Sequence, residues 1–244
     1  MTKYPKEFTI HSYESNRFGN ASLTSIFNFL IEIAWEHAQK LDWGFDALKS
    51  NNYFWVLSRI YIEIKKYPKW QEKITVQTWP TGIRSIYALR EYEVKNEQDE
   101  IIIRSGSDWL ILDMDTKRII RPDLFANNFQ QLAQPGICRY PEKIKPDVEK
   151  NNLNFSPVRF TDLDINQHFN SVKFVERALN SYGITFLNDH EVDKIEVNYL
   201  KEGLPEDSIA VSSAKISENE DMVSLIRESD GIDLCAMKIT WRKK

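Results

Sequence analysis

Between residues 22 and 41 the apolar side chains Leu23, Ile26, Phe27, Leu30, Ala34, Ala38 and Leu41 recur at steps of three and four, which places them on one face of a helix. Gly19 and Asn20 supply turn chemistry before it, and Gly44 supplies a stop after it. The period then changes to two. Phe54, Val56, Ile60, Ile62 and Ile64 alternate as in a strand with one buried face, and Tyr67-Pro68 ends the run. Strand-like stretches follow at 73–79, 83–95 and 100–113, with Pro80-Thr81-Gly82 and Asn96 to Asp99 as the turns between them. Residues 114–154 lose this regularity and carry five prolines and glycines, from Pro122 to Pro146, among polar residues. A short strand at 155–160 leads to a second helical face of Val172, Val175, Leu179 and Tyr182, closed by Gly183. Strands are again expected at 191–200, 207–217, 221–229 and 232–242.

A strand, one helix and about four further strands therefore occur twice, which predicts a duplicated α+β chain. Its parts are an N-terminal module over 1–120, a linker over 121–154 and a C-terminal module over 155–244. A helix and an antiparallel sheet that are each apolar on one face can cover each other if the sheet wraps the helix. That is the hotdog arrangement, and pattern alone admits it beside other α+β folds such as the ferredoxin-like ones.

Composition narrows the function classes. The 244 residues are 42% hydrophobic with both charge signs interspersed, as in a folded globular protein. A formal net charge of −4 argues against nucleic-acid binding, which needs a clustered cationic excess. The longest apolar stretch, Ile26 to Trp35, is broken by Asn28 and Glu32, so no membrane span is expected. The N-terminus lacks the pattern of a secretory signal, and two cysteines, Cys138 and Cys235, make neither a disulfide framework nor a zinc site, so a cytoplasmic protein is expected.

The densest polar cluster, Thr161 to Asn170, lies between a predicted strand and the second helix. Asp and Asn there suit helix capping and turns. If the segment is extended, however, Asp164, Asn166 and His168 project to one side, bringing together a carboxylate, an amide and an imidazole suited to acyl transfer to water. His11, His37 and His190 are isolated, and solvated or capping roles are expected of them. One histidine with carboxylates and an amide is a poor metal set, so neither a metal nor a cofactor is expected. Phe27, Phe29, Trp35, Trp43, Phe45, Phe54 and Trp55 are candidates for the wall of an apolar pocket as well as for core.

The run Asp164-Ile-Asn166-Gln-His168-Phe-Asn170-Ser-Val-Lys-Phe174 resembles the D-x-N-Q-H-x-N-N-x-K-Y signature of the acyl-acyl-carrier-protein thioesterases, enzymes that end fatty-acid synthesis. Tyr53 to Arg59, Tyr67 to Trp70, Val76 to Trp79 and Trp109 to Pro122 resemble further blocks of that family, in its order. The resemblance implies a double hotdog in one chain, with the acyl chain bound in the first module and the catalytic motif in the second. It implies Asp164, Asn166 and His168 as active-site residues. Asn198-Tyr-Leu-Lys-Glu202-Gly203 is similar to the family's Tyr-Arg-Arg-Glu-Cys, which adds Glu202 and puts Gly203 where a cysteine stands in plant members. A thiol nucleophile at that position is thereby ruled out, and water takes its place. The implied partner is acyl carrier protein bearing a phosphopantetheine-linked chain, with Arg84, Arg90, Lys173 and Arg177 as candidate docking cations. A homodimer is left open. The alternatives are an acyl-CoA thioesterase of the same fold and a non-catalytic acyl-binding protein, with a dehydratase ranked last.

Overall fold

The structure is a computed structural model that describes residues 3–125 and 139–244. The chain folds as two compact units, Met1–Pro141 and Glu142–Lys244, so the division falls inside the Pro-containing stretch between the two strand runs.

In the first unit, β1 (Tyr4–Thr9) precedes α1 (Leu23–Lys40) and the short α2 (Phe45–Ser50); β2 (Tyr53–Ile64), β3 (Lys73–Arg84), β4 (Tyr87–Lys95), β5 (Ile101–Asp113), the two-residue β6 (Ile119–Ile120) and the one-turn α3 (Pro122–Phe125) follow. The antiparallel sheet has the order β1-β3-β4-β5-β2, with β6 on β5. The helix begins where the periodicity places it: Ser22 caps it by accepting the Ser25 backbone N–H at 3.1 Å, a contact worth about 1 kcal/mol. Its buried set includes Ile26, Phe27, Leu30, Ala34 and Ala38 as expected, but also Phe29, Ile33 and His37. The apolar face is broader than a single stripe because β1 and β3 both pack on it. Each such fully buried large side chain contributes about 1.5–3 kcal/mol.

Among the β-bulges, those in β2 and β3 change what alternation and turn composition predict. In β2, Leu57 pairs with Trp109 and Arg59 with Asp108, so one residue is inserted at Ser58. Such an insertion reverses which side the following residues point to. Phe54 and Val56 therefore lie on the opposite face from Ile60, Ile62 and Ile64, and Trp55 and Leu57 take the helix-facing positions. The expected turn at Pro80-Thr81-Gly82 is likewise a register shift within β3, and the chain reverses at Ser85, whose φ is 59°. Pro80 has no N–H to give the ladder, and it is tolerated there because it sits at the bulge.

The second unit repeats the plan. A two-residue β7 (Ser156–Pro157) is followed by α4 (Ser171–Asn180), α5 (Ile184–Asp189), β8 (His190–Tyr199), β9 (Ser208–Ser217), β10 (Glu220–Arg227) and β11 (Asp233–Lys243). These strands form an antiparallel sheet in the order β8-β11-β10-β9-β7, and α4 packs on β10. The helix stops at Asn180, two residues short of Tyr182, and buries Phe174 and Ala178 with Val172 and Val175. Residues after the division are tied to this sheet. The Asn198 carboxamide accepts from Ile144 N–H and donates to the Glu142 carbonyl, both at 2.9 Å, while Ile144 packs on Met222 and Ala236. Each unit is a hotdog module, a helix laid on an antiparallel sheet. No described helix is long and apolar enough to cross a membrane.

The buried face of the first sheet is not wholly apolar. His37 on α1, 2% exposed and so neither solvated nor capping, stacks on the Tyr4 ring and lies 3.0 Å from an Arg90 nitrogen on β4. Burial, helped by the Arg90 charge, pushes its pKa down to about 3. The unfolded chain takes up a proton near pH 6.5 that folded His37 refuses until about 3, so this residue makes stability fall as pH drops through that window. In urea unfolding at pH 7 and pH 4, H37Q is expected to lose less stability than the parent between the two. Equal losses mean that His37 is not held neutral.

Candidate functional site

The cluster from Thr161 to Asn170 is not an extended strand. Leu163 and Phe169 form an isolated antiparallel bridge, and the residues between them make a tight turn. The Asp164 carboxylate closes it: Oδ1 accepts the backbone N–H of Asn166 at 2.8 Å and that of His168 at 3.0 Å, and the Asp164 N–H donates to the His168 carbonyl at 2.8 Å. Gln167 takes a left-handed φ of 63° at the bend. The alternation argument for Asp164, Asn166 and His168 therefore does not hold. Asp164 serves as the turn's internal acceptor, Asn166 lies exposed at its tip and His168 is half-buried at its exit.

The far side of the turn is anchored. Phe169 is 4% exposed, packs edge-to-face on Phe174 at 4.6 Å and lies under the Arg177 guanidinium at 4.7 Å. Its N–H donates to the Gly203 carbonyl at 2.8 Å. That bond sets the residue before Phe169 beside the residue before Gly203, and His168 Nε2 stands 3.6 Å from Glu202 Oε2. Two groups far apart in the chain are thus brought together by backbone pairing. The next residue, Asn170, caps α4 by accepting the Val172 N–H at 2.8 Å, so the turn passes directly into a fixed helix.

Gly203 is required by this arrangement. A Cβ built there would lie 2.7 Å from Phe169 Cβ, an atom close to the backbone that cannot move aside. A cysteine there would clash with Phe169 unless the two segments moved apart. Of the two cysteines, Cys235 is fully buried in β11, where burial pushes its thiol well above the usual range, and Cys138 lies outside the described residues.

The structure reassigns two of the four candidate docking cations. Arg90 is 7% exposed and faces inward. Arg177 is used internally: it donates to the Ser156 and Pro157 carbonyls and to Asp162 Oδ2 at 2.8 Å. Burial raises the Asp162 carboxyl, but the Arg159 N–H and the Arg177 contacts outweigh it and hold the group below its usual range. Arg84 pairs with Asp108 at 2.8 Å while remaining 46% exposed, and Lys173 pairs with Glu176 at 2.9 Å one turn along α4.

The first unit contains an apolar cleft, partly open to solvent, lined by Ala34, Trp35, Trp43, Trp55, Trp109 and Arg90, among others. Of the aromatic candidates, Trp35, Trp43 and Trp55 line it; Phe27 and Phe29 are core, and Phe45 is 38% exposed. One signal in the sequence could have found Arg90: it shares alternate positions along β4 with Ala88, Tyr92 and Val94, a charge in an otherwise uncharged row that the structure buries.

The chain and its fold are similar to those of known proteins. Residues 1–126 match the family profile described as the acyl-ACP thioesterase N-terminal domain, and residues 144–243 match its C-terminal domain. The chain is 27% identical over 243 residues to the chloroplastic oleoyl-acyl carrier protein thioesterase of Coriandrum sativum, covering 91% of this chain and 66% of the relative. It is 25% identical to the chloroplastic palmitoyl-acyl carrier protein thioesterase of Gossypium hirsutum, covering 99% of this chain and 64% of the relative. It thus spans about two thirds of the length of these relatives. Its fold matches the crystal structure of an acyl-ACP thioesterase from Bacteroides thetaiotaomicron with a TM-score of 0.88 at 23% identity, covering 98% of both chains. The 12:0-ACP thioesterase from Umbellularia californica matches with a TM-score of 0.85 at 18% identity, covering 99% of this chain and 98% of that one.

Gly203→Cys is expected to lower stability by about 1–3 kcal/mol, the usual cost of inserting atoms into a packed site. A thermal or urea midpoint equal to the parent's means that Phe169 has room to yield.

Proposed function

The chain belongs to the acyl-ACP thioesterase family, and on that premise we propose that it hydrolyses the thioester joining a fatty acyl chain to the phosphopantetheine arm of acyl carrier protein. What supports this reading above all is the pair His168 and Glu202, held 3.6 Å apart by the Phe169–Gly203 bond. At that separation both can hydrogen-bond one water molecule. The pair takes a proton from the water as its oxygen attacks the thioester carbon, with one group as base and the other as its orienter. The Asn166 amide, at the tip of the turn, donates to the carbonyl oxygen as it becomes an oxyanion. Collapse of that adduct breaks the C–S bond, and the proton returns to the departing thiolate, giving a free fatty acid and the carrier's thiol. Asp164 acts one step back: by accepting two backbone N–H groups it fixes the turn that carries Asn166 and His168.

We assign the acyl chain to the tryptophan-lined cleft of the first unit and the chemistry to the second. Trp35, Trp43, Trp55 and Trp109 offer an apolar wall without a carboxylate, which suits a hydrocarbon chain. Reducing Trp55 to Ala is expected to shift the preferred chain length, whereas Phe27 and Leu30, both fully buried, are expected to affect stability instead.

Asn166→Ala, His168→Ala and Glu202→Gln are each expected to lose on the order of a hundredfold or more in turnover while staying folded, as removal of an oxyanion donor or general base does. Cys235→Ala, combined with Cys138→Ala, is expected to retain activity. Release of free acid from a panel of acyl-ACP thioesters, run beside the matching acyl-CoA esters, measures this. A dead but folded double cysteine variant, or an acyl-cysteine adduct found by mass spectrometry, sinks the water mechanism. Faster turnover of the CoA esters favours the acyl-CoA thioesterase reading.

A further inference from the structure

The cleft contains a cation that its apolar walls do not explain. Arg90 is 93% buried, since only 7% of its surface is exposed, and it lines the same space as Trp35, Trp43, Trp55 and Trp109. One guanidinium nitrogen, Nη1, lies 3.0 Å from His37 Nδ1 and donates to Thr78 Oγ1 at 3.1 Å. Both partners are neutral, because His37 is held unprotonated. Among the described residues no carboxylate pairs with Arg90, and residues 126–138, outside them, contain no Asp or Glu. An arginine does not shed its proton in a protein, and a buried charge without a counter-charge is costly. The remaining N–H donors of its fork suit a planar oxyanion held by two parallel bonds.

We propose that this cleft binds a fatty-acid carboxylate head-first, the carboxylate on the guanidinium donors of Arg90 that His37 and Thr78 leave free and the hydrocarbon chain among the tryptophans. The proposal uses the cleft assigned above to the acyl chain but does not rest on thioester hydrolysis. A thioester has no carboxylate to offer at that point, so the site distinguishes free acid from esterified chain. A free acid seated there occupies the space of the acyl chain, so accumulating product competes with substrate.

The probes are dodecanoate and dodecan-1-ol, equal in chain length and different in charge, titrated below micellar concentration into the whole protein. Calorimetry and tryptophan fluorescence follow the binding, four tryptophans being in the cleft wall. Dodecanoate is expected to bind with a Kd roughly ten to a hundred times lower than dodecan-1-ol, the range of a charge-assisted hydrogen-bonded pair. R90M is expected to abolish that preference, and R90Q, which keeps an amide for His37 and Thr78, to reduce it at least tenfold. His168→Ala is expected to bind dodecanoate as the parent does, so failure of the hydrolytic reading leaves this result intact. Equal affinity of the parent for the two probes overturns the proposal without recourse to any variant. So does a folded R90M or R90Q that keeps the preference for the acid, or loss of dodecanoate binding in His168→Ala.

Discussion

One backbone hydrogen bond, from Phe169 N–H to the Gly203 carbonyl, carries the candidate site. It joins the exit of a polar turn to the segment that follows β8, and every other feature there serves to make that pairing possible. Phe169 is pinned by Phe174 from α4 and by Arg177, which is itself fixed by Ser156, Pro157 and Asp162. Gly203 has no side chain because Phe169 Cβ occupies the place where one would stand. The segment before Gly203 is held in turn by Leu200 and Lys201, whose N–H groups both reach the Leu234 carbonyl near the start of β11. His168 and Glu202 meet as a consequence of this packing. Their attraction is that of a partly exposed pair and is too weak to position a loop.

The two modules share a plan and spend their polar residues differently. In the second, polar groups gather in a turn at the helix N-terminus, where Asp164 and Asn170 satisfy backbone donors with short side chains. In the first, a longer helix of 18 residues covers a sheet whose inner face includes Thr78, Arg90, Tyr92, Ser105 and Ser107. Part of that polarity is internally satisfied: Tyr92 bonds Ser107 at 3.1 Å, and Ser107 receives the Trp109 indole N–H at 2.8 Å. Arg90 alone of this row brings a full charge. The carboxylate proposed for the cleft would supply the counter-charge that His37 and Thr78, both neutral, do not.

Periodicity, capping residues and turn composition determined the two longer helices, α1 and α4, the strand runs and their repetition, because these depend on side chains three, four or two positions apart; they did not show the short α2, α3 and α5. The signature around His168 and the glutamate before Gly203 likewise contain His168 and Glu202, which stand 3.6 Å apart in the folded chain. Tertiary structure decided the rest. The bulge at Ser58 exchanged the faces of β2, so Trp55 and not Phe54 reached the cleft; an inserted residue leaves no mark in composition and shows only in the pairing with β5. Asp164, Asn166 and His168 lie on a turn rather than a strand, since the Asp164 carboxylate finds its backbone N–H donors within the segment itself and no neighbouring strand is needed to satisfy them. Arg90 and His37 read as surface residues from their chemistry, yet both are buried, because the faces of α1 and β4 that carry them are covered by each other and by β1. Whether a charged residue meets water or a buried wall depends on contacts between segments remote in sequence, and only the folded chain supplies them.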